Sequence, residues 1–347
     1  MSIIVHKNYD ELFSLDNIFS AWRKFRRGKT GNMDVMVFEL HLEDNLFRLY
    51  TDLQNETYRH SPYKHFQIYD NKKRDIYKAE VRDRVVHQII YDYLSQLFAS
   101  EFISDSYASR IYKGQYKAIN AFRYFIKIAQ DHHKPCFVLK CDVRKYFDNI
   151  DQGVLYSFIT HKITTFQTSS QVRVMPSNYS RSQDHRIQIV IREIIEGYTY
   201  SGLGKGIPLG NITSQIFANI YLNSLDKYVK NVLKCRFYVR YNDDFVIVAQ
   251  SAEGLNEIRN MIISFVREKL FLDIPLEKTS LRKIDWGIDF LGFTILPRVV
   301  LLRNKTKNKI YTNINSQNIH SYFSILHHCN SYQLKRKILS LDILNQI

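Results

Sequence analysis

Phe237-Tyr-Val-Arg-Tyr-Asn-Asp-Asp-Phe-Val-Ile-Val-Ala249 decides how this chain is read. β-Branched and aromatic residues flank Asn242 and Asp243 on both sides, the pattern of two antiparallel strands joined by a tight turn. An Asn-Asp turn accounts for one acid. Two adjacent acids, Asp243 and Asp244, in an otherwise apolar hairpin require more, because neighbouring carboxylates repel and raise each other's pKa unless a cation neutralises them. A second stretch, Phe137-Val-Leu-Lys-Cys-Asp142-Val-Arg-Lys-Tyr-Phe147, ends an apolar strand on another acid. Leaving that carboxylate buried and unpaired would be expensive, although Asp142 could equally cap the turn that follows. Magnesium prefers oxygen ligands and keeps coordination positions for phosphates. Three carboxylates from two strands could hold two such ions about 4 Å apart, the arrangement used for in-line phosphoryl transfer.

The composition fits a polyanionic partner. Among 347 residues, 49 Lys and Arg against 34 Asp and Glu leave a formal charge of +15, which favours nucleic acid or an anionic membrane surface. The 24 Tyr and 22 Phe interleave with these basic side chains, suiting stacked bases as well as phosphates; a basic protein with an aromatic core is the plainer alternative. Hydrophobic residues at 45% exclude a disordered or fibrous chain. None of Cys136, Cys141, Cys235 and Cys329 sits in a CxxC pair, which argues against zinc and a disulfide framework. The N-terminus, MSIIVHKNYDELF, acquires acids too early for a signal peptide. No run of about 18 apolar residues suggests a membrane span, so a cytoplasmic location is expected.

Working outward, residues 14–30 form an aromatic-basic stretch with Trp22, Arg23, Lys24, Arg26, Arg27 and Lys29, either a solvated helix face or a grip on phosphates. Residues 33–56 read as one helix, with Val37, Leu40, Leu46 and Leu49 toward one face. Two short strands are expected over 64–79 around Asp70-Asn71, and helices over 81–99 and 115–130. The segment 164–186 is polar and aperiodic, an insertion or loop between helices. A helix-like run spans 212–233, another helix 253–271, short strands cluster around 279–300, and the last residues look helical and basic. Strands alternating with helices and joined by tight turns suggest an α+β protein with an antiparallel sheet. Gly202-Leu-Gly-Lys-Gly206-Ile-Pro208-Leu-Gly210-Asn-Ile-Thr-Ser214-Gln215 fits neither GxxxxGK[ST] nor GxGxxG. A glycine-rich turn entering a helix still lets backbone approach a ribose, base or phosphate.

Together these motifs resemble reverse transcriptases. The Asp142 strand resembles the family's first palm motif, Tyr241-Asn-Asp-Asp244 its YxDD hairpin, and Gly206-Ile-Pro-Leu-Gly210 the turn before its long palm helix. The resemblance implies a right-hand polymerase fold in which the palm's antiparallel sheet carries the active site. It implies boundaries as well: a basic-aromatic extension over 1–30, fingers over 31–135, palm over 136–295, and a short helical thumb over 296–347. The palm would include the polar insertion near 164–186 and returning fingers elements to about residue 205. It further implies that Asp142 and Asp243 are the principal ligands for two Mg2+ ions, with Mn2+ as a substitute. Asp244 would be the less direct third acid, and Val143 would contribute to the metal and nucleotide site. Phe147 would be a steric gate against a ribose 2′-hydroxyl. Lys73-Arg74-Asp-Ile76 and Arg82-Asp-Arg84-Val-Val-His-Gln88 resemble the fingers motif, so Lys73 and Arg74 would contact the incoming dNTP. Leu209 and Gln215 would adjoin that dNTP. Ser106-Tyr-Ala-Ser-Arg110 with Lys113 resembles the stretch facing template and nucleotide, and Gly210 would also face template or primer. Lys278, in Glu277-Lys-Thr279, would protonate pyrophosphate. Phe290-Leu-Gly-Phe293 resembles the primer-grip hairpin.

Many reverse transcriptases have Gln-Gly in the turn and Ser-Pro at the start of the helix; Leu209-Gly210 and Ser214-Gln215 stand in those places. PLGNITSQ, with Ala218-Asn219 and Ser321-Tyr-Phe-Ser-Ile-Leu-His-His-Cys-Asn-Ser-Tyr332, resembles the enzymes of diversity-generating retroelements. Those copy a template RNA into cDNA with errors at adenines and use a small basic accessory protein. The expected activity is therefore RNA-directed DNA polymerisation on a dedicated RNA template, with that accessory protein or a second reverse transcriptase subunit as partner and no membrane. An antiviral-defence enzyme copying a noncoding RNA is the alternative, and a non-catalytic nucleic-acid binder with this fold is a third reading. The stretch after the primer-grip hairpin is too short for an RNase H domain, so template removal is expected to need another enzyme.

Overall fold

The computed structural model describes residues 7–70, 72–130, 135–168, 181–198, 204–315 and 317–344. The chain folds as two compact units, each assembled from separated segments. The first comprises Met1–Ile103, Lys145–Asp226 and Arg267–Leu272; the second comprises Ser104–Arg144, Lys227–Val266 and Asp273–Ile347.

The first unit opens on a helical layer: α1 (Tyr9–Leu12), α2 (Leu15–Arg26), α3 (Met33–Leu40) and α4 (Leu42–Gln54). Ser14 caps α2 by accepting from the Asn17 amide, which satisfies one of the donors a helix start leaves open. Ile18, Ala21, Trp22 and Phe25 then recur at helical spacing and are buried, so Trp22 and Phe25 of the 14–30 stretch are core. Its cations Lys24 and Arg26 are paired with Asp92 and Glu39 at 2.6 and 2.5 Å. The single helix expected over 33–56 is two helices broken at His41. The Asn45 side chain donates to the Phe38 carbonyl at 3.0 Å, covering an acceptor that the break frees. Val37 and Leu40, expected on the packed face, are 55% and 77% exposed.

Strands β1 (Lys64–Asp70) and β2 (Lys72–Lys78) form the expected hairpin, followed by α5 (Val81–Leu97). α5 is buried around most of its circumference and carries a fully buried histidine. His60 Nδ1 lies 2.6 Å from the Ser61 carbonyl, His60 Nε2 lies 3.0 Å from His87 Nε2, and His87 Nδ1 lies 3.2 Å from Thr213 Oγ1. A carbonyl only accepts, so His60 Nδ1 carries the proton. The chain then runs one way, with His87 Nε2 donating to His60 and Thr213 donating to His87, both rings neutral. Burial, above all, holds both imidazoles below their ordinary pKa, His87 far below, and the pair disfavours a second charge.

The chain next passes through α6 (Gln115–Ala129) and β3 (Phe137–Asp142) of the second unit. It returns to the first for α7 (Tyr146–Asn149), α8 (Gln152–Thr168), α9 (Arg181–Glu196) and α10 (Ile212–Lys227). α8 and α9 both extend into the stretch expected as a polar insertion; its middle, 169–180, lies outside the described residues, as does Gly202. The helix expected over 212–233 ends as a π-helical turn, Tyr228–Val232.

The second unit is built on antiparallel sheets. After β4 (Tyr238–Tyr241), β5 (Asp244–Ala249) and α11 (Ala252–Leu270) comes β6 (Thr279–Lys283), giving a four-stranded sheet in the order β4-β5-β3-β6. β7 (Ile288–Phe290), β8 (Phe293–Ile295) and β9 (Val300–Leu302) form a separate three-stranded sheet. α12 (Asn304–Asn313), α13 (Ile319–Leu326) and α14 (Tyr332–Leu344) complete the chain. The core of this unit joins Ile119, Phe122 and Ile126 of α6 to Val138, Val239 and Val246 of the larger sheet. It continues through Phe290, Phe293 and Leu302 of the smaller sheet to Ile310, Leu326 and Ile338. The β7–β8 turn places Leu291 and Gly292 at φ +49° and +83°, the requirement of a type I′ hairpin. Leucine is unfavourable there; its carbonyl accepts from Gln115 Nε2 at 2.7 Å.

The expected α+β class is the observed one, with each described sheet antiparallel. Among the described residues no helix is long and apolar enough to cross a membrane, and all four cysteines are free.

Candidate active site

Asp142, Asp243 and Asp244 all lie in the second unit. β3 and β5 pair from Phe137↔Ala249 through to Asp142↔Asp244, so two of the acids are direct cross-strand partners at the end of the sheet. The third, Asp243, lies in the two-residue turn between β4 and β5. Its neighbour Asn242 supplies the left-handed backbone at φ +53°, which Asn tolerates better than most residues. The Val143 amide reaches the Asp243 carbonyl at 3.4 Å, tying the end of β3 to the turn. The Val143 side chain is buried, leaving only its backbone to face a ligand.

The acids sit in a strained electrostatic setting. Burial first, and then the Asp142 carboxylate, push the Asp243 carboxyl up to about 6. Burial raises Asp244 to about 7; Lys140 pulls it back, and Asp142 and Asp243 push it up. Two lysines act as internal counter-ions: Lys278 pairs with Asp142, and Lys140 Nζ lies 3.3 Å from Asp244 Oδ2. Asp244 Oδ1 is buried with no hydrogen-bond partner among the described residues, a costly state for a carboxylate oxygen. As the side chains stand, no three acidic, histidine or cysteine groups among the described residues are gathered to hold an ion. The donor chemistry nonetheless fits a hard divalent cation: three carboxylates at one sheet end, one with an unsatisfied oxygen.

Basic residues within and beside the quoted strings support this site. Arg240 is fully buried beneath the turn, its guanidinium donating to the Asn242 carbonyl at 3.0 Å and to Ser106 Oγ at 3.1 Å. Its charge helps lower the Asp243 pKa. The available signal was a cation inside an apolar strand, Tyr238-Val-Arg240, where only a partnered charge is tolerated. Lys140 gave the same signal in β3. Arg144 holds Glu277 at 2.5 Å, steadying the short helical turn that presents Lys278. Arg110 Nη1 donates to the Ser106 carbonyl at 2.9 Å, and Lys113 Nζ to the Ser104 carbonyl at 2.7 Å; both therefore brace the loop beside β4.

The remaining candidates lie in the first unit, where the glycine-rich turn is bonded to β2. The Tyr77 amide donates to the Leu209 carbonyl at 3.0 Å. Asn211 Nδ2 donates to the Tyr77 carbonyl at 2.7 Å, and Asn211 Oδ1 accepts from the Ala79 amide at 3.2 Å. Ser214 Oγ closes the turn on the Pro208 carbonyl at 2.7 Å. Gly210 has φ +113°, and a Cβ there would meet Ile76 Cγ2 at 2.8 Å. The turn with Leu209 and Gly210 is thus brought onto the strand carrying Lys73 and Arg74, both exposed. Gln215 is exposed on the first turn of α10. Phe147, partly buried on α7, accepts the Ile207 amide at its carbonyl, 2.8 Å away.

The family described as reverse transcriptase (RNA-dependent DNA polymerase) matches residues 67–295. The group II intron-encoded protein LtrA of Lactococcus lactis subsp. cremoris is 21% identical over 323 residues, covering 74% of this chain and 50% of LtrA. Protein YkfC of Escherichia coli (strain K12) is 21% identical over 259 residues, covering 65% of this chain and 64% of YkfC. The chain thus spans half the length of LtrA and under two thirds of YkfC. Among solved structures, telomerase from Candida albicans, in complex with a fragment of telomeric RNA, aligns with a TM-score of 0.53 at 15% identity. That alignment covers 72% of this chain and 48% of the telomerase chain. At that identity the likeness shows the fold, a right-hand polymerase arrangement of helices around antiparallel sheets.

Proposed function

The chain belongs to the reverse transcriptase family, and from that premise we propose that it copies a dedicated RNA template into cDNA at Asp142, Asp243 and Asp244. The carrying observation is the pairing of Asp142 with Asp244 and the placement of Asp243 in the adjoining turn. It places three acidic residues at one sheet end, and one carboxylate oxygen there has no partner among the described residues. Asp142 and Asp243 would hold the Mg2+ ions (Mn2+ could substitute), with Asp244 behind them and the Val143 backbone alongside. Bound there, divalent ions would lower the pKa of the primer 3′-hydroxyl and neutralise the triphosphate. Lys73 and Arg74 would grip the triphosphate of the dNTP, and Phe147 would fill the volume a ribose 2′-oxygen needs. Lys278 would donate a proton to the departing pyrophosphate once released from Asp142, as a general acid within hydrogen-bond reach of its substrate. Residues 31–135, 136–295 and 296–347 would act as fingers, palm and thumb.

Leu209 and Ser214-Gln215 support a finer reading, an error-prone enzyme like those of diversity-generating retroelements. An amide side chain at 209 could hydrogen-bond near the nucleotide, whereas leucine cannot. Losing one such contact costs roughly 1 kcal/mol of positioning and weakens discrimination between correct and incorrect pairs.

Primer extension on an RNA template with Mg2+ tests the proposal. The parent is expected to gain Tm with Mg2+, and Asp243→Asn to abolish both that gain and primer extension. Extension that survives this substitution would refute the assignment.

A further inference from the structure

At the far end of the active-site sheet, the second unit carries a groove whose lining includes none of the three acids. It has a volume of about 1180 Å³ and is lined by α6, by Pro135-Cys136 before β3, and by the β8–β9 connection. β3 begins at Phe137 and ends at Asp142, so the groove and the acids lie about 17 Å apart along the strand, five steps at ~3.4 Å each.

We infer that this groove binds a single-stranded segment of RNA. Arg123, Lys127 and Arg298 line it against one acid, Asp285, and all three cations are exposed. None of the three has an ion-pair or hydrogen-bond partner among the described residues. They are therefore not consumed by the fold, unlike Arg110 and Lys113. Tyr124, on α6 between two of the cations, is 60% exposed and offers a ring face to a base. Asn120 and Gln130 add amide groups along the same wall. Backbone-tracking cations beside an aromatic platform are the chemistry of sequence-tolerant single-strand binding, and the volume exceeds that of a usual small-molecule site. This class of partner rests on the RNA-copying reading; the groove adds a second contact remote from the chemistry, one that would hold a template outside the stretch being copied.

The test uses the full chain, a fluorescein-labelled oligouridylate as probe, and excess unlabelled template–primer duplex. Arg123→Gln/Lys127→Gln/Arg298→Gln is expected to weaken probe binding and to reduce the slope of log affinity against log salt by about 2, roughly 0.7 for each lost phosphate contact. Tyr124→Ala is the milder variant; it should weaken binding at least about fivefold, the low end for a lost stacked base, with an unchanged Tm. Both variants should extend a short preformed template–primer at the parental rate. Parental probe affinity in both variants overturns the inference and leaves the groove to another partner, such as an acidic protein. Failure of the parent to extend the primer would strike the polymerase reading instead, while the probe contrast would still report on the groove.

Discussion

Leu209 is the residue on which the finer reading turns. Leu209→Gln restores an amide beside the proposed nucleotide site, and sequencing of cDNA is expected to show fewer misincorporations opposite template adenine. An unchanged error spectrum would sink the fidelity argument while leaving the polymerase untouched. Among the acids, the strings around Asp142 and Asp243-Asp244 are legible in the sequence itself, because unpartnered carboxylates in apolar strands demand explanation. What the strings do not reveal is their counter-ions. Lys278 is expected opposite pyrophosphate, and it stands paired with Asp142. Lys140 and Arg240 stand out only as cations inside apolar strands; which groups hold them, Asp244 for the first and Ser106 with the Asn242 carbonyl for the second, the strings do not say.

Elements were legible where periodicity was strong and turns were short. The β1–β2 hairpin, the β4–β5 hairpin and helices α5, α6 and α11 fall where their patterns place them. The break at His41 did not show, because no proline or glycine marks it and its freed carbonyl is covered by a side chain seven residues on. The glycine-rich turn showed only as a loop, since its partner strand β2 is distant in sequence. That partnership has a measurable consequence. Gly210→Ala combines a positive φ with a clash against Ile76 and should cost about 1–3 kcal/mol, lowering Tm and raising KM for dNTP; a parental Tm would show that the turn is not clamped. The histidine relay from α5 to α10 makes a second prediction. Both rings bind fewer protons folded than unfolded, so their contribution is whole above about pH 6.5 and is lost as pH falls toward their depressed pKa values. The relay's contribution to Tm should therefore fall as pH drops below about 6.5, and His87→Asn should flatten the acid limb of the Tm profile relative to the parent. An acid response as steep in the variant as in the parent would place its origin elsewhere.

For the whole molecule, charge is the property that composition conveyed best. A surplus of +15 should make association with RNA fall by about three orders of magnitude over a fourfold rise in salt, as for a protein making six or more phosphate contacts. A flat response, measured by titration at several salt concentrations, would mean the surplus serves another purpose. The division into two units was not legible, because each draws on segments far apart in the chain. The chain leaves the second unit after Arg144 and enters the first at Lys145, within a motif that reads as continuous in sequence.

The bond between the Tyr77 amide and the Leu209 carbonyl has an evolutionary corollary. Position 209 serves the architecture through its main chain, a contribution that does not depend on which side chain stands there. The side chain itself is only partly buried, so exchanging it is expected to cost little stability. If the side chain at 209 sets fidelity as proposed, accuracy and foldability would be separable at this one position. Leu209→Gln should accordingly leave stability within the small range of surface substitutions, about 0.5 kcal/mol either way, so that any change in copying is a change in selection of bases and not in the health of the protein.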